Sequence, residues 1–444
     1  YVIPKVEFQW RSVVTNTTPV HAYRGAGRPE ATMALERAID QIALELDMDP
    51  VEVRRRNFIR KEAFPYVTAH GERYDSGDYE AALDLALRLA GYHDVRKEQA
   101  RRRKAKDRVQ LGIGISSYVE ITAGDGRKDW GAVEVNVDGT ATVYSAGVSQ
   151  GQGHETTFPQ IVSELLKLPL EKIIFIQGDT DTIARSGGTM GSRSLQIAGS
   201  AIYGAGEKVL DKARDVFALH VEAAIEDVVQ FDDGRIGVVG VPDSAMTLAE
   251  IAAVASESSN LPAGMESGLR GEQIWEQEEA TFPFGTHVSI VELDTETGAI
   301  RVLNHVACDD AGTILNRMVF DGQVHGGVAQ GIGQALSEQV LYDDAYPITG
   351  NLASYLITTA SSLPSIDVDH TETPTPENPL GAKGIGEAGT IGSTPAIVNA
   401  VIDALAPLGI RHLDMPLTPA RVWEAMAASH RRVSAAVADD DSPR

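Results

Sequence analysis

Between Asp321 and Gln339 the chain reads DGQVHGGVAQGIGQALSEQ. The pattern is helical, yet glycines stand at 322, 326, 327, 331 and 333. Each costs ~1 kcal/mol relative to alanine inside a helix. Such a run is tolerated where something packs close to the helix backbone. The fold must therefore bring a close neighbour to this helix. Gln323 and Gln330 are its polar readers.

A second glycine-rich stretch, GAKGIGEAGT, runs from Gly381 to Thr390 and sets one carboxylate, Glu387, among glycines just after Lys383. Backbone amides there can approach a ligand closely. The apolar run Ile391 to Leu405, with Pro395 near its start, reads as a helix, so the loop leads to a helix N-terminus suited to an anion. A tight loop with a surface Glu is the competing interpretation of this stretch alone.

Two more loops have the same form. SQGQGHETTF alternates Gln150 and Gln152 with Gly151 and Gly153 before His154 and a helix. Side-chain amides both donate and accept, so this loop suits a ligand with both kinds of group. His154 also fits a capping or core histidine. SGGTMGSRS, Ser186 to Ser194, opens a long Ala-rich helix from about Leu195 to Ala224. Small hydroxyls, glycines and Arg193 there suit phosphate or pyrophosphate. In HAYRGAGRPEA, Arg24 sits between Tyr23 and Gly25, where a planar guanidinium fork can clamp an anion or carbonyl. Arg28 fits a surface salt bridge to Glu30 or Glu36 equally well.

The remaining pattern alternates helices and strands. Tyr1 to Val14 alternates apolar and polar residues as a strand does. Helices are expected from about Glu30 to Leu46 and from Pro50 to Asn57, and one amphipathic helix within 76–104. The basic run Arg101 to Lys106 reads as a boundary. Strands follow in GIGISSYVE, WGAVEVNVD, ATVYSAGV and KIIFIQGD, with a hairpin turn at Asp138-Gly139. A short hairpin (231–239), a small helix (247–256) and two strands around TETG come next. The tail beyond Ala428 reads as frayed.

Net charge is −24, which argues against nucleic acid or an anionic membrane as partner. The single cysteine, Cys308, excludes a disulfide framework and an iron–sulfur cluster within this chain. Asp179 and Asp181 lack the further carboxylates a metal site needs. No signal peptide is evident, and no apolar run is expected to span a membrane. The chain begins at Tyr1 inside a strand-like pattern, as a piece of something longer or a processed subunit would.

Five motifs in this order, AYRGAGRPEA, QGQGHETTF, TMGSRS, GQVHGGVAQGIG and GAKGIGEAGT, resemble the C-terminal half of the large subunit of molybdenum hydroxylases, the xanthine-oxidase and carbon-monoxide-dehydrogenase-like family. The resemblance covers nearly the whole chain. It implies an α+β fold of molybdopterin-binding domains, mixed sheets with glycine-rich loops leading into helices. The first domain would end at 106, the second would span 107–428, and 429–444 would form a flexible tail. It implies molybdopterin cytosine dinucleotide, with molybdenum held through the cofactor dithiolene and by no protein ligand. Glu387 matches the family's catalytic base and Arg24 its active-site arginine. Gln150, Gly151, Gln152, Gly153, His154, Thr189, Gly191, Ser192, Arg193, Ser194, Gln330, Lys383, Gly384 and Gly386 match loops around the pterin and dinucleotide, and Asp310 is placed with them.

The implied activity is insertion of water-derived oxygen at an electron-poor carbon. Electrons would pass to [2Fe-2S] and FAD on an iron–sulfur subunit and an FAD subunit, in a cytoplasmic dimer of heterotrimers. The N-terminal half of the large subunit, on the same or a separate chain, would complete the site. Members specialised for carbon monoxide carry a cysteine where this chain has Gly25. An N-heteroaromatic ring is thus the favoured substrate, with aldehydes or purines next. A non-catalytic cofactor-binding or assembly subunit is the rival from another class, and the retained Glu387 argues against it.

Overall fold

The structure, a computed structural model, describes residues 1–124, 127–183 and 186–440, with 432–440 described by backbone alone. Helices α1 (Arg28–Glu45) and α2 (Pro50–Asn57) come first, then the small ladder β1 (Tyr66–Val67) and β2 (Arg73–Tyr74), then α3 (Tyr79–Leu89) and α4 (Tyr92–Ala105). Next are β3 (Val109–Val119), β4 (Lys128–Val135), β5 (Ala141–Ser145), α5 (His154–Leu166), β6 (Ile173–Gln177) and α6 (Ser200–Val221). The ladder β7 (Val228–Gln230), β8 (Ile236–Val238) and β9 (Val241–Met246) precedes α7 (Leu248–Ser256), β10 (Leu269–Glu276), β11 (Phe284–Asp294) and β12 (Ile300–Asp310). The last elements are α8 (Arg317–Leu336), β13 (Tyr342–Asp343), β14 (Tyr346–Pro347), β15 (Ser365–Thr371), α9 (Ala388–Leu405) and α10 (Pro419–Asp440).

Two four-stranded sheets organise these elements. One has the order β15-β12-β11-β3, with β15 parallel to β12 and the rest antiparallel. The other runs β10-β4-β5-β6, with only β5 and β6 parallel. The mixed pairing follows from the connections: hairpins give antiparallel pairs, and the α5 crossover gives a parallel one. Helices α5, α6 and α7 cover the second sheet over a core that includes Val133, Val143, Val162, Ile202, Val209 and Ile251.

The glycine-rich helix is α8, and its close neighbour is α9. A Cβ on Gly327 would lie 2.8 Å from the Cα of Gly389, and one on Gly331 would lie 1.9 Å from the Oγ of Ser393. The other side of α9 rests on β3, where a Cβ on Gly112 or Gly114 would meet the carbonyl oxygens of Ala400 and Ala396 at 1.9 and 2.0 Å. Thus α9 is wedged between sheet and helix with backbone contact on both sides, and Val291, Val324, Val328, Ile397 and Val401 fill the surrounding core. The segment Ala388–Leu408 is long and apolar enough to cross a membrane, contrary to expectation, but 78% of it is buried inside the fold. Its composition is that of a core helix.

Other expectations need correction. Residues 1–14 form no strand: Val2 N–H bonds to Asn57 O, but Trp10 and Val14 are exposed because no neighbouring strand pairs with the segment. The helix expected in 76–104 is two helices, broken at Gly91 in a left-handed conformation (φ 58°). The basic run lies largely inside α4. Arg102 pairs with Glu292 of β11 and Arg103 with Asp403 of α9, both at 2.9 Å, so the run is tied into the fold. Helix α9 begins at Ala388, which places Pro395 inside it and Glu387 at its N-cap. Helix α10 runs to Asp440, and 441–444 lie outside the described residues.

Candidate active site

Three loops distant in sequence converge on Glu387. Its Oε1 accepts the backbone N–H of Gly25 at 3.0 Å, and its Oε2 accepts the Ser192 hydroxyl at 2.8 Å. Gly25 can present its amide this way because φ is +101°, and a Cβ there would strike the Pro29 ring at 2.7 Å. A carboxylate given two fixed donors is held in one orientation without a metal.

Arg24 stands beside it. Nε donates to the Gly386 carbonyl at 2.5 Å, and Nη2 donates to the backbone oxygen and Oε1 of Gln323 at 2.9 and 3.2 Å. Burial lowers the guanidinium pKa from its ordinary value, against the opposing pull of Tyr23, Glu387 and Glu120. Tyr23 donates to Gln330, so consecutive residues stitch this loop to α8.

The Thr189–Ser194 loop packs directly on the Lys383–Glu387 loop: a Cβ on Gly384 would lie 2.0 Å from the Ser192 carbonyl oxygen. Thr189 Oγ1 donates to Val148 O at 2.7 Å, joining it to the loop of Gln150 to His154. There the Gln150 amide donates to the Gln152 side chain at 2.5 Å, and Ser194 Oγ reaches Thr189 Oγ1 at 3.4 Å. Gly151 and Gly191 face outward, with no atom within 4 Å of where a Cβ would stand. Their backbone is therefore open to a ligand.

Four sequence-derived residues turn inward instead. Arg193 forms a buried ion pair with Asp129 at 2.7 Å. Lys383, 2% exposed, donates to Ser76 O at 3.1 Å and Thr373 Oγ1 at 3.3 Å, and lies 3.9 Å from both Asp75 and Asp310. Asp310 accepts from Gly312 N–H, Thr371 and Thr373. This cluster braces the loop that carries Glu387. His154 is buried with its ring stacked on Phe158, and burial lowers its pKa from the ordinary value, keeping it neutral.

Sequence reasoning missed Glu120. It is wholly buried just after β3, and its Oε1 lies 3.2 Å from Ser192 Oγ. Burial and then the Glu387 charge push its carboxyl well above the usual range. The only signal in the sequence is one acid ending an otherwise buried strand, SSYVE. Arg28 makes no ion pair with Glu30 or Glu36; Glu36 is taken by Arg54, 2.8 Å away and equally buried. Arg28 instead lines a cavity with Glu120.

Two family models match the sequence, both described as molybdopterin cofactor-binding domain, over residues 85–364 and 1–58. The chain belongs to the molybdopterin cofactor-binding family. It is 39% identical over 440 residues to the carbon monoxide dehydrogenase large chain of Hydrogenophaga pseudoflava, covering 96% of this chain and 54% of that one. It is 36% identical to the nicotine 6-hydroxylase large subunit of Paenarthrobacter nicotinovorans, with 96% and 53% covered. The fold superposes on quinoline 2-oxidoreductase from Pseudomonas putida 86 with a TM-score of 0.86 at 34% identity, covering 92% of this chain and 53% of that one. The chain thus spans about half the length of the relatives it matches. The α+β architecture read from the sequence is that of these molybdenum hydroxylase large subunits.

Proposed function

We propose that this chain supplies the base-bearing half of a molybdenum-dependent hydroxylase large subunit. Glu387 carries this reading: it is a carboxylate fixed at a helix N-terminus by donors from two other loops, with an arginine alongside. Bound molybdopterin would supply the two-electron oxidation and the oxygen transfer. The residues fit such a group. Gly151 and Gly191 offer open backbone, and Gln150 and Thr189 flank them with amide and hydroxyl groups suited to a dinucleotide. The cytosine dinucleotide form belongs to this proposal. Arg193, Asp310 and Lys383 contribute by holding those loops, since their charges are satisfied internally.

Glu387 takes a proton in this scheme. A general base must be held within reach of the proton it takes, and the Gly25 and Ser192 donors fix this carboxylate in place. Arg24 leaves Nη1 uncommitted among the described residues, so it can steady an oxygen or nitrogen of a bound ring. Position 25 has no room for the cysteine of carbon-monoxide members, because its Cβ would collide with Pro29. We therefore place the substrate among N-heteroaromatic rings, with electrons leaving through iron–sulfur and FAD subunits and the N-terminal half of the large subunit, on the same or a separate chain, closing the site.

The test is molybdenum content and acid release of CMP from the complex containing this chain, followed by a panel of heterocycles, purines and aldehydes. About one molybdenum and one CMP per chain, with heterocycle turnover, is expected. An intact complex with neither would overturn the cofactor assignment; turnover of aldehydes alone would overturn the substrate class.

A further inference from the structure

Two carboxyls and one hydroxyl meet behind the Glu387 loop. Ser192 Oγ lies 2.8 Å from Glu387 Oε2 and 3.2 Å from Glu120 Oε1. The hydroxyl has one proton and can donate to one carboxyl only. Its other contact is attractive only if that carboxyl carries a proton and Ser192 accepts it. Two adjacent carboxylates in a site shielded from water do not both ionise.

The geometry says which one keeps the proton. Glu387 accepts from Gly25 N–H and is partly exposed, so its charge is already solvated. Glu120 is 0% exposed, and no donor among the described residues reaches its Oε2. Around it stand Arg24 from the loop before α1, Arg28 at the first position of α1, Ser192, and Glu387, with Glu72 and Tyr74 across a cavity of about 370 Å³. Arg28 is a partial offset to a charge on Glu120, but it is itself partly exposed and makes no ion pair with it.

We propose that Glu120 is a positioning residue: a buried neutral acid that donates to the Ser192–Glu387 pair and keeps Glu387 the charged, oriented member of a two-carboxyl, one-proton unit. This rests on the reading of Glu387 as the base. In it Ser192 donates to Glu387 and accepts from Glu120, so every polar hydrogen among the three groups has a partner. The arrangement gives Glu387 a third, indirect support without adding negative charge beside it. Loss of the Glu120 donor frees the Ser192 hydroxyl to turn away, and Glu387 with it.

The experiment uses the complex with the full-length large subunit, in parent form and as E120Q, E120L and S192A. Infrared difference spectra read the carbonyl stretch of protonated carboxylic acids at neutral pH, with and without cofactor. Rates are followed against pH, with molybdenum content measured for each variant. The parent should show an acid band that E120Q removes. E120Q, whose amide still donates, should leave the acid limb of the kcat profile within about 0.3 pH unit of the parent. E120L should lower kcat about tenfold with KM within about twofold and molybdenum retained. S192A should shift the acid band while leaving it present.

An acid band that survives in E120Q overturns the proposal. So does an acid limb that falls by about one unit or more in E120Q, the mark of a removed negative charge. The band is readable in complex lacking molybdenum, so failure of the cofactor assignment and failure of this proposal give different results. If E120L does not assemble, E120Q and S192A decide the question.

Discussion

Gly25 and Glu387, 362 positions apart in the chain, are joined by one hydrogen bond from the Gly25 amide to Oε1 at 3.0 Å. The donor is backbone, so its direction is set by the conformation of the Tyr23–Arg28 turn and by no rotamer. The turn therefore governs the carboxylate, and the carboxylate sits where α9 begins.

Replacing Glu387 by glutamine keeps an acceptor for Gly25 but removes the base. General-base residues contribute roughly 10²–10⁴-fold. E387Q should lose turnover by a factor in that range while retaining molybdenum, measured by metal analysis beside steady-state rates. Unchanged turnover would remove Glu387 from the proton-transfer role.

Substituting Gly25 tests the turn itself. An alanine Cβ would lie 2.7 Å from two carbons of the Pro29 ring, at a φ of +101° that alanine rarely adopts. Strain of this kind costs about 1–3 kcal/mol. G25A should lower both the melting temperature and kcat, and its kcat loss should exceed what the fraction unfolded explains. Parent-like kcat in G25A would show that the amide does not set the geometry of Glu387.

Helix α8 offers a matched pair of substitutions. At Gly327 an added Cβ meets backbone, 2.8 Å from Gly389 Cα and 2.9 Å from Thr390 N, and nothing there can swing aside. Overpacking of this sort costs about 1–3 kcal/mol. At Gly322 an added Cβ meets nothing within 4 Å, so alanine gains helix propensity of about 0.4–1 kcal/mol. Thermal melts should show G327A less stable and G322A more stable than the parent. Equal shifts would contradict the close crossing of α8 and α9.

That crossing is legible in the amino-acid sequence, because a helix bearing so many glycines has few other uses. Legible too were most strands and helices, and the glycine-rich form of the loops that surround Glu387. What escaped depended on partners far along the chain. Tyr1 to Val14 has strand-like alternation but nothing pairs with it, and alternation alone cannot reveal that. Gly91 broke one amphipathic pattern into two helices. Arg193 and Lys383 looked like cations for a ligand until Asp129 and Asp310 turned out to hold them. Glu120 gave almost no signal, since its partner Ser192 comes 72 residues later and an acid ending a strand reads as exposed.

The buried chain Ser289–His305–His287–Asp309 predicts the acid sensitivity of the fold. His305 Nδ1 lies 2.6 Å from Ser289 Oγ, and its Nε2 lies 3.0 Å from His287 Nδ1, whose Nε2 is 3.1 Å from Asp309. If the serine donates to His305, His305 to His287 and His287 to Asp309, every site is filled with both rings neutral. Burial, then the neighbouring His287, pushes the His305 pKa well below the ordinary value. The folded pKa is thus lower than the unfolded one of about 6.5, so protonation favours the unfolded chain. This contribution to stability is full above about pH 6.5 and is lost as pH falls, at up to about 1.4 kcal/mol per pH unit. H305Q can still donate and accept but does not titrate. It should be less stable than the parent at pH 7.5 and show a shallower loss between pH 6.5 and 5, read from denaturant midpoints. An unchanged slope in H305Q would assign the acid sensitivity to other groups, with the buried ring of His154 the next to test.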